Sequence, residues 1–268
     1  MTTSVIFKKE GGVAFITFNR PDRGNAITPD MGKEIQSTLN DCKSDPSIVV
    51  VVFTGKGKFF CTGMDLGSSN QQNIDNELQS GQAAADALQL YLTIKNFPKP
   101  TIAAINGPVY GGGCGIVFCC DIRIGVKNAF LCFSEVKRGI VPALISSVIV
   151  PQLGESLSLQ YMTTGMKLYV SRLYELGLVS ALTENVEELH NKVGEFIAEL
   201  RTSAPNATST TKKTVQYCAT HSPEESYKHV KNVFTTTVHS EEALYGISCF
   251  VSKQQPDWSS LNNIPSKL

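Results

Sequence analysis

Two short apolar runs constrain this chain more than any other feature. Val49-Val50-Val51-Val52-Phe53 is β-branched up to its final aromatic residue, and Thr101-Ile102-Ala103-Ala104-Ile105 is apolar after its first position. Neither shows the polar alternation of a half-exposed strand, so each reads as a buried strand. A glycine-bearing segment follows each: Thr54-Gly55 opens a loop after the first, and Gly107–Gly113 is a glycine-rich turn after the second. Helical patterns lie between. Thr28-Pro29-Asp30 has the form of a helix start, with Met31, Ile35 and Leu39 four apart on one face. A polar loop from Ser68 leads into a second helix, ending near Asn96, with Ala83, Ala87, Leu90 and Ile94 on one face. The repeat of strand, loop and helix predicts an α/β fold.

The remaining pattern is consistent with one large α/β unit. Val5-Ile6-Phe7 and Val13–Phe18 flank Gly11-Gly12, a hairpin signal. Gly115 to Cys120 opens a helix, and Ile122–Gly125 and Ala129–Phe133 read as short strands. From Gly154 to about Ser252 the pattern is mostly helical, and the tail from Gln255 is polar with little to pack. The expected division is 1–190 for the α/β core and 191–268 for a helical segment with a polar tail.

Composition excludes several classes. Lys+Arg and Asp+Glu balance at 24 each, which argues against a nucleic-acid binder. The longest apolar run, Ile48 to Phe53, is too short to span a bilayer, and MTTSVIFKKE has no apolar signal core. The eight cysteines form no CxxC pair, and with four histidines no metal-ligand spacing appears. They read as small buried hydrophobes without disulfides. Neither GxGxxG nor GxxxxGK[ST] is present, which disfavours those phosphate cradles.

The chemistry lies in the two glycine-bearing segments. Phe59–Leu66 and Asn106–Gly115 each follow a buried strand, and the second opens a helix. Such turns let a ligand approach free backbone N–H groups, and two side by side can direct two donors at one oxygen. Two tight structural turns fit the glycine content equally well.

The ordered set of motifs resembles the crotonase family, also called the enoyl-CoA hydratase/isomerase family. It comprises Asn19-Arg20-Pro21 with Asn25-Ala26; Phe60-Cys61-Thr62-Gly63-Met64-Asp65-Leu66; Asn106-Gly107 with Gly111-Gly112-Gly113 and Cys120-Asp121; and Phe133–Pro142. Gly165 with Leu176–Val179, and Glu242, Gly246, Phe250, Pro256 and Trp258, complete it, from about residue 5 to residue 258. The resemblance implies a spiral of repeated ββα units with a helical C-terminal oligomerisation segment. It implies that the N–H groups of Met64 and Gly112 hold a thioester oxygen and that Glu135 moves protons. Taken alone, Glu135 would be a surface or ion-paired glutamate, while its apolar neighbours Phe133, Val136 and Ile140 favour a raised proton affinity. Hydratases of the family often carry a second glutamate, and this chain has Gly115 at that position.

The same resemblance implies substrate contacts at Arg23, Asn25, Ala26, Cys61, Gly63, Asp65 and Gly111. Lys212, Phe250 and Lys253 match positions that reach the coenzyme A of a neighbour in a homotrimer or hexamer. A solvated helix face is the plainer reading of Lys212. No cofactor is implied, since coenzyme A enters as part of the acyl-CoA substrate. The implied function is hydration of a fatty or branched 2-enoyl-CoA, with 3-enoyl to 2-enoyl isomerisation as the alternative. Thioester hydrolysis, carbon–carbon cleavage and a non-catalytic acyl-CoA-binding or RNA-binding role are the further alternatives. The first predicted helix pairs Lys33 and Lys43 with Glu34 and Asp41, so it offers no basic stripe for RNA. No membrane span is expected. Ser266-Lys267-Leu268 reads as an address for the peroxisomal import receptor, which predicts a peroxisomal location.

Overall fold

The computed structural model describes residues 3–65 and 81–261. Leu66, the expected loop between Ser68 and the second helix, and Ser266-Lys267-Leu268 lie outside the described residues.

The chain opens with the expected hairpin, β1 (Val5–Glu10) and β2 (Val13–Phe18), paired antiparallel. Helix α1 (Pro29–Ser44) starts as its sequence dictates. Thr28 Oγ1 accepts from Met31 N at 3.2 Å, and Pro29 sits where its missing N–H does no harm. Strand β3 (Val50–Gly55), helix α2 (Gln82–Lys95) and strand β4 (Thr101–Ile105) follow. The glycine-rich turn contains a short strand, β5 (Val109–Tyr110), before α3 (Gly112–Cys119), so this helix starts ahead of the expected Gly115. Next come β6 (Ile122–Val126), β7 (Phe130–Cys132), α4 (Ala143–Leu153) and α5 (Glu155–Thr164). The stretch expected to be mostly helical also holds β8 (Lys167–Tyr169), α6 (Val170–Glu175) and β9 (Ala181–Thr183). Helices α7 (Val186–Arg201), α8 (Pro205–Cys218), α9 (Pro223–Thr237) and α10 (Glu241–Val251) end the series.

The main sheet has the order β1-β2-β3-β4-β6-β9, parallel except at the β1 edge. Both apolar runs lie in its middle and are buried on both faces. Val51 and Phe53 of β3, with Ala103 and Ile105 of β4, face a large core with α1, α2 and α3. Val50, Val52, Ile102 and Ala104 face the opposite way, against Leu189, Val193 and Ile197 of α7. This explains the absence of alternation. Helix α7 runs through residues 190 and 191, so the unit that packs on the sheet extends to Arg201. A second, three-stranded sheet, β5-β7-β8, holds the glycine turn against the segment that carries Glu135.

The C-terminal helices are tied on by polar contacts. Lys212 Nζ meets Asp121 Oδ2 at 2.7 Å, Gln216 Nε2 donates to Lys95 O at 2.9 Å, and both Glu242 carboxylate oxygens accept N–H groups from the first turn of α8. The tail does pack, contrary to expectation: Trp258 lies edge-on to Tyr245, and its Nε1 donates to Thr202 O at 2.9 Å. No helix among the described residues is long and apolar enough to cross a membrane.

Candidate active site

Two buried amide side chains shape the loop after β3. Asn25 is fully buried, and its Nδ2 donates to Lys56 O at 3.0 Å and Phe59 O at 2.7 Å. Asn106 Oδ1 accepts from Gly55 N at 2.9 Å, while its Nδ2 donates to Gly57 O at 3.0 Å. The loop then runs between two neighbours. Ile27 N donates to Gly63 O at 2.8 Å and Ile27 O accepts from Asp65 N at 2.9 Å, while Cys61 O accepts from Tyr110 N at 2.9 Å. In an extended segment successive amides point to opposite sides. With Gly63 O and Asp65 N turned to Ile27, Met64 N–H faces the glycine turn. A Cβ on Gly112 would stand 3.7 Å from Met64 N, and one on Gly63 would stand 3.1 Å from Gly112 N. Gly63, at φ +93°, therefore has to lack a side chain for both amides to face one space. No backbone carbonyl among the described residues accepts from Met64 N or Gly112 N.

Glu135 reaches the same space from the far side. Gly111 N donates to Cys132 O at 3.1 Å, which seats the turn on β7. The 3₁₀ turn Ser134–Arg138 then carries Glu135 back, so that a Cβ on Gly111 would lie 3.3 Å from Glu135 Oε1. Glu135 is half-buried, and its Oε2 is buried with no hydrogen-bond partner among the described residues. Burial pushes its carboxyl above the usual carboxylate range, against the weaker pull of its own backbone N–H and of Arg138. Arg138 is itself turned to Ser134 O at 3.1 Å and Ser134 Oγ at 2.9 Å.

The cleft that holds these groups has a volume of about 640 Å³. Met64, Gly63, Gly111, Gly112 and Glu135 all line it, together with Tyr91, Tyr110 and the segment from Ile140 to Ile145. The arrangement offers two preorganised N–H donors and one carboxylate of raised proton affinity in a largely apolar setting. That combination suits a reaction in which negative charge develops on a carbonyl oxygen while a proton moves nearby.

Several residues expected to contact substrate lie outside the lining of this cleft. The Cys61 side chain is fully buried beneath the loop, outside the cleft lining, and burial pushes its thiol up to about 12. Asn25 is consumed by the loop, Ala26 O accepts from Arg20, and Asp65 pairs with Arg20 at 2.7 Å; these residues build the site and do not line the cleft. Lys212, expected to contact substrate, is held in an ion pair with Asp121 and has a nearly buried side chain. Arg23 is exposed outside the cleft, as are Phe250, on α10, and Lys253, just beyond it. Sequence reasoning gave no role to Tyr91. Its signal was present, since it stands four residues after Ala87 and three before Ile94 on the buried face of α2, with a polar tip.

The comparisons with known proteins bear on the family of the chain. The enoyl-CoA hydratase/isomerase family pattern matches residues 8–261. Enoyl-CoA hydratase ACTT6 of Alternaria alternata is 37% identical over 201 residues, covering 75% of this chain and 65% of the relative, just under two thirds of its length. Enoyl-CoA hydratase AFT6-1 of the same fungus is 32% identical over 243 residues, covering 90% of this chain and 79% of the relative. Among solved structures, a protein from Legionella pneumophila described as a putative enoyl-CoA hydratase/isomerase (crotonase) superposes with a TM-score of 0.87 at 28% identity, covering 96% of this chain and 100% of that one. The paired loops, the converging amides and the match along nearly the whole chain make this protein a member of the enoyl-CoA hydratase/isomerase family.

Proposed function

We propose that this protein is an enoyl-CoA hydratase that adds water to a fatty or branched 2-enoyl-CoA. The observation that carries the reading is the convergence of Met64 N–H, Gly112 N–H and the Glu135 carboxylate on one cleft. The thioester oxygen lies between the two amides. Glu135 takes a proton from water, and the water oxygen forms its bond to Cβ. The double-bond electrons move toward Cα and onto the thioester oxygen as an enolate. The protonated Glu135 then gives its proton to Cα, restoring the carboxylate and completing the addition. Each donor aimed at the developing oxyanion is worth roughly 3 kcal/mol. The raised proton affinity of Glu135 suits a group that must both accept and return a proton near neutral pH. Ile140, Val141 and Leu144 give the cleft an apolar wall that favours a hydrocarbon acyl group.

The exposed apolar side chains of α8–α10, including Tyr227, Phe234, Ile247 and Phe250, support assembly into a trimer or hexamer. In that assembly Phe250 and Lys253 would meet the coenzyme A bound by a neighbour, and Arg23 that of its own chain. The test of the chemistry is incubation with a 2-enoyl-CoA and, separately, a 3-enoyl-CoA. Loss of the conjugated thioester absorbance with a gain of one water in mass supports hydration. Conjugation gained from the 3-enoyl substrate without a mass change, and no water added to the 2-enoyl substrate, would replace hydration by isomerisation.

A further inference from the structure

Gly115 is buried, and a Cβ on it would stand 2.8 Å from both Tyr91 Cε1 and Ile145 Cγ2. The space beside the turn that a side chain at this position would enter is already filled, chiefly by the ring of Tyr91. The phenol oxygen goes further, to the turn itself. It donates to Gly112 O at 3.0 Å, and a Cβ on Gly112 would lie 2.9 Å from it. Tyr91 is 4% exposed and lines the cleft. Burial raises the proton affinity of the phenol, so the hydroxyl remains a donor at every working pH.

We propose that Tyr91 is a positioning residue for the oxyanion turn. Its hydroxyl clamps the Gly112 carbonyl, on the peptide after the donor, while Cys114 N–H holds the Gly111 carbonyl on the donor's own peptide, so the two together fix Gly112 and the aim of its N–H. The Tyr91 ring also takes the volume of a second acid, which commits the site to Glu135 alone. The inference rests on reading Gly112 N–H as a donor to the thioester oxygen.

The need for a clamp follows from the sequence. Gly111, Gly112 and Gly113 are consecutive, and such a run has no side chains to limit rotation of its peptides. Gly111 N is held by Cys132 O at 3.1 Å, and Gly111 O by Cys114 N at 2.9 Å. At Gly112 the side-chain constraint is the Tyr91 hydroxyl. Donors act in catalysis to the extent that they are fixed before charge develops. Cys114 N–H and a phenol reaching in from α2 hold the two peptides that flank Gly112, and the absence of side chains at Gly112 and Gly115 gives the phenol room.

Tyr91→Phe tests this, because the ring stays and only the hydroxyl goes. Turnover on a 2-enoyl-CoA is measured beside the infrared carbonyl band of a bound, ¹³C-labelled saturated acyl-CoA. Removing an oxyanion donor outright costs about 10²–10³ in kcat, so loosening one should cost about 10-fold to 10²-fold, with KM within about twofold. The wild-type carbonyl band should move to lower wavenumber on binding, and the Tyr91→Phe band should move less, with the melting temperature little changed. Wild-type kcat and a wild-type band shift in Tyr91→Phe would overturn the inference. So would a lower melting temperature and lower turnover with the full band shift, since that marks a packing role only. If the wild-type band does not move, the reading of Gly112 N–H as an oxyanion donor fails first, independently of Tyr91.

Discussion

At the residue scale, Glu135 shows how the fold tunes a carboxylate. One oxygen is buried without a hydrogen-bond partner among the described residues, and burial raises the proton affinity of the carboxyl. The folded chain therefore binds this proton more tightly than the unfolded chain does. Stability is lost as pH rises from the ordinary carboxylate range through the raised value, and the full cost stands above it. Glu135→Gln removes that charge. The variant should melt at a higher temperature than the wild type at neutral pH, with the gap closing below the ordinary carboxylate range; calorimetry across pH reads this. Its turnover should fall by about 10²–10⁴, the usual worth of a general acid or base, with acyl-CoA binding little changed. In the wild type, kcat/KM should rise with pH through a midpoint above the ordinary carboxylate value. Gly115 gives a second case at this scale. Gly115→Glu should not supply a second acid, because Tyr91 and Ile145 occupy the space. Overpacking there should cost about 1–3 kcal/mol in denaturant unfolding and should lower turnover by displacing Tyr91.

At the scale of elements, the site exists because two loops from adjacent parallel strands are drawn together by side chains that bond to the backbone and to one another. Asn25, Asn106 and the Arg20–Asp65 pair do this for the loop after β3, and β7 does it for the glycine turn. These roles were hard to read in the sequence, since a polar residue in a loop motif looks the same whether it faces substrate or backbone. Lys212 is the clearest instance. Its motif position suggested a substrate contact, yet it lies in an ion pair with Asp121, which also accepts from Thr101 N at 2.8 Å. Lys212→Ala should leave the KM for acyl-CoA unchanged and lower stability by about 1–3 kcal/mol, by stranding a partly buried carboxylate. A raised KM at unchanged stability would restore the substrate-binding role. The strands β3 and β4 were legible because apolar runs covered on both faces leave a strong signal. Strands β8 and β9 were not, since three residues each give too little pattern to stand out from flanking helices.

At the scale of the whole molecule, the core and the C-terminal helices differ in how they are held. The sheet is sandwiched between α7 and the layer of α1–α3, with interlocking apolar side chains on both faces. Helix α8 joins it through Lys212 and Gln216, Glu242 ties α10 to α8, and helices α8–α10 leave large apolar side chains uncovered, Phe250 at 84% exposure and Phe234 at 68%. An association that covers this surface predicts no dominant monomer in sedimentation at micromolar concentration, and Phe250→Asp should shift the distribution toward monomer. A clean monomer of the wild type would contradict the assembly and remove the proposed neighbour contribution to the coenzyme A site. The central claim is independent of that outcome and of the choice between hydration and isomerisation: Met64 N–H, Gly112 N–H and Glu135 act on one thioester. It is tested most directly by following the α-protons of a saturated acyl-CoA in D₂O by proton NMR. The account predicts that the wild type exchanges an α-proton for deuterium, because the amides stabilise the enolate that Glu135 forms. It also predicts that Glu135→Gln slows this exchange by about 10² or more. No exchange by the wild type, or equal exchange by the variant, would contradict it.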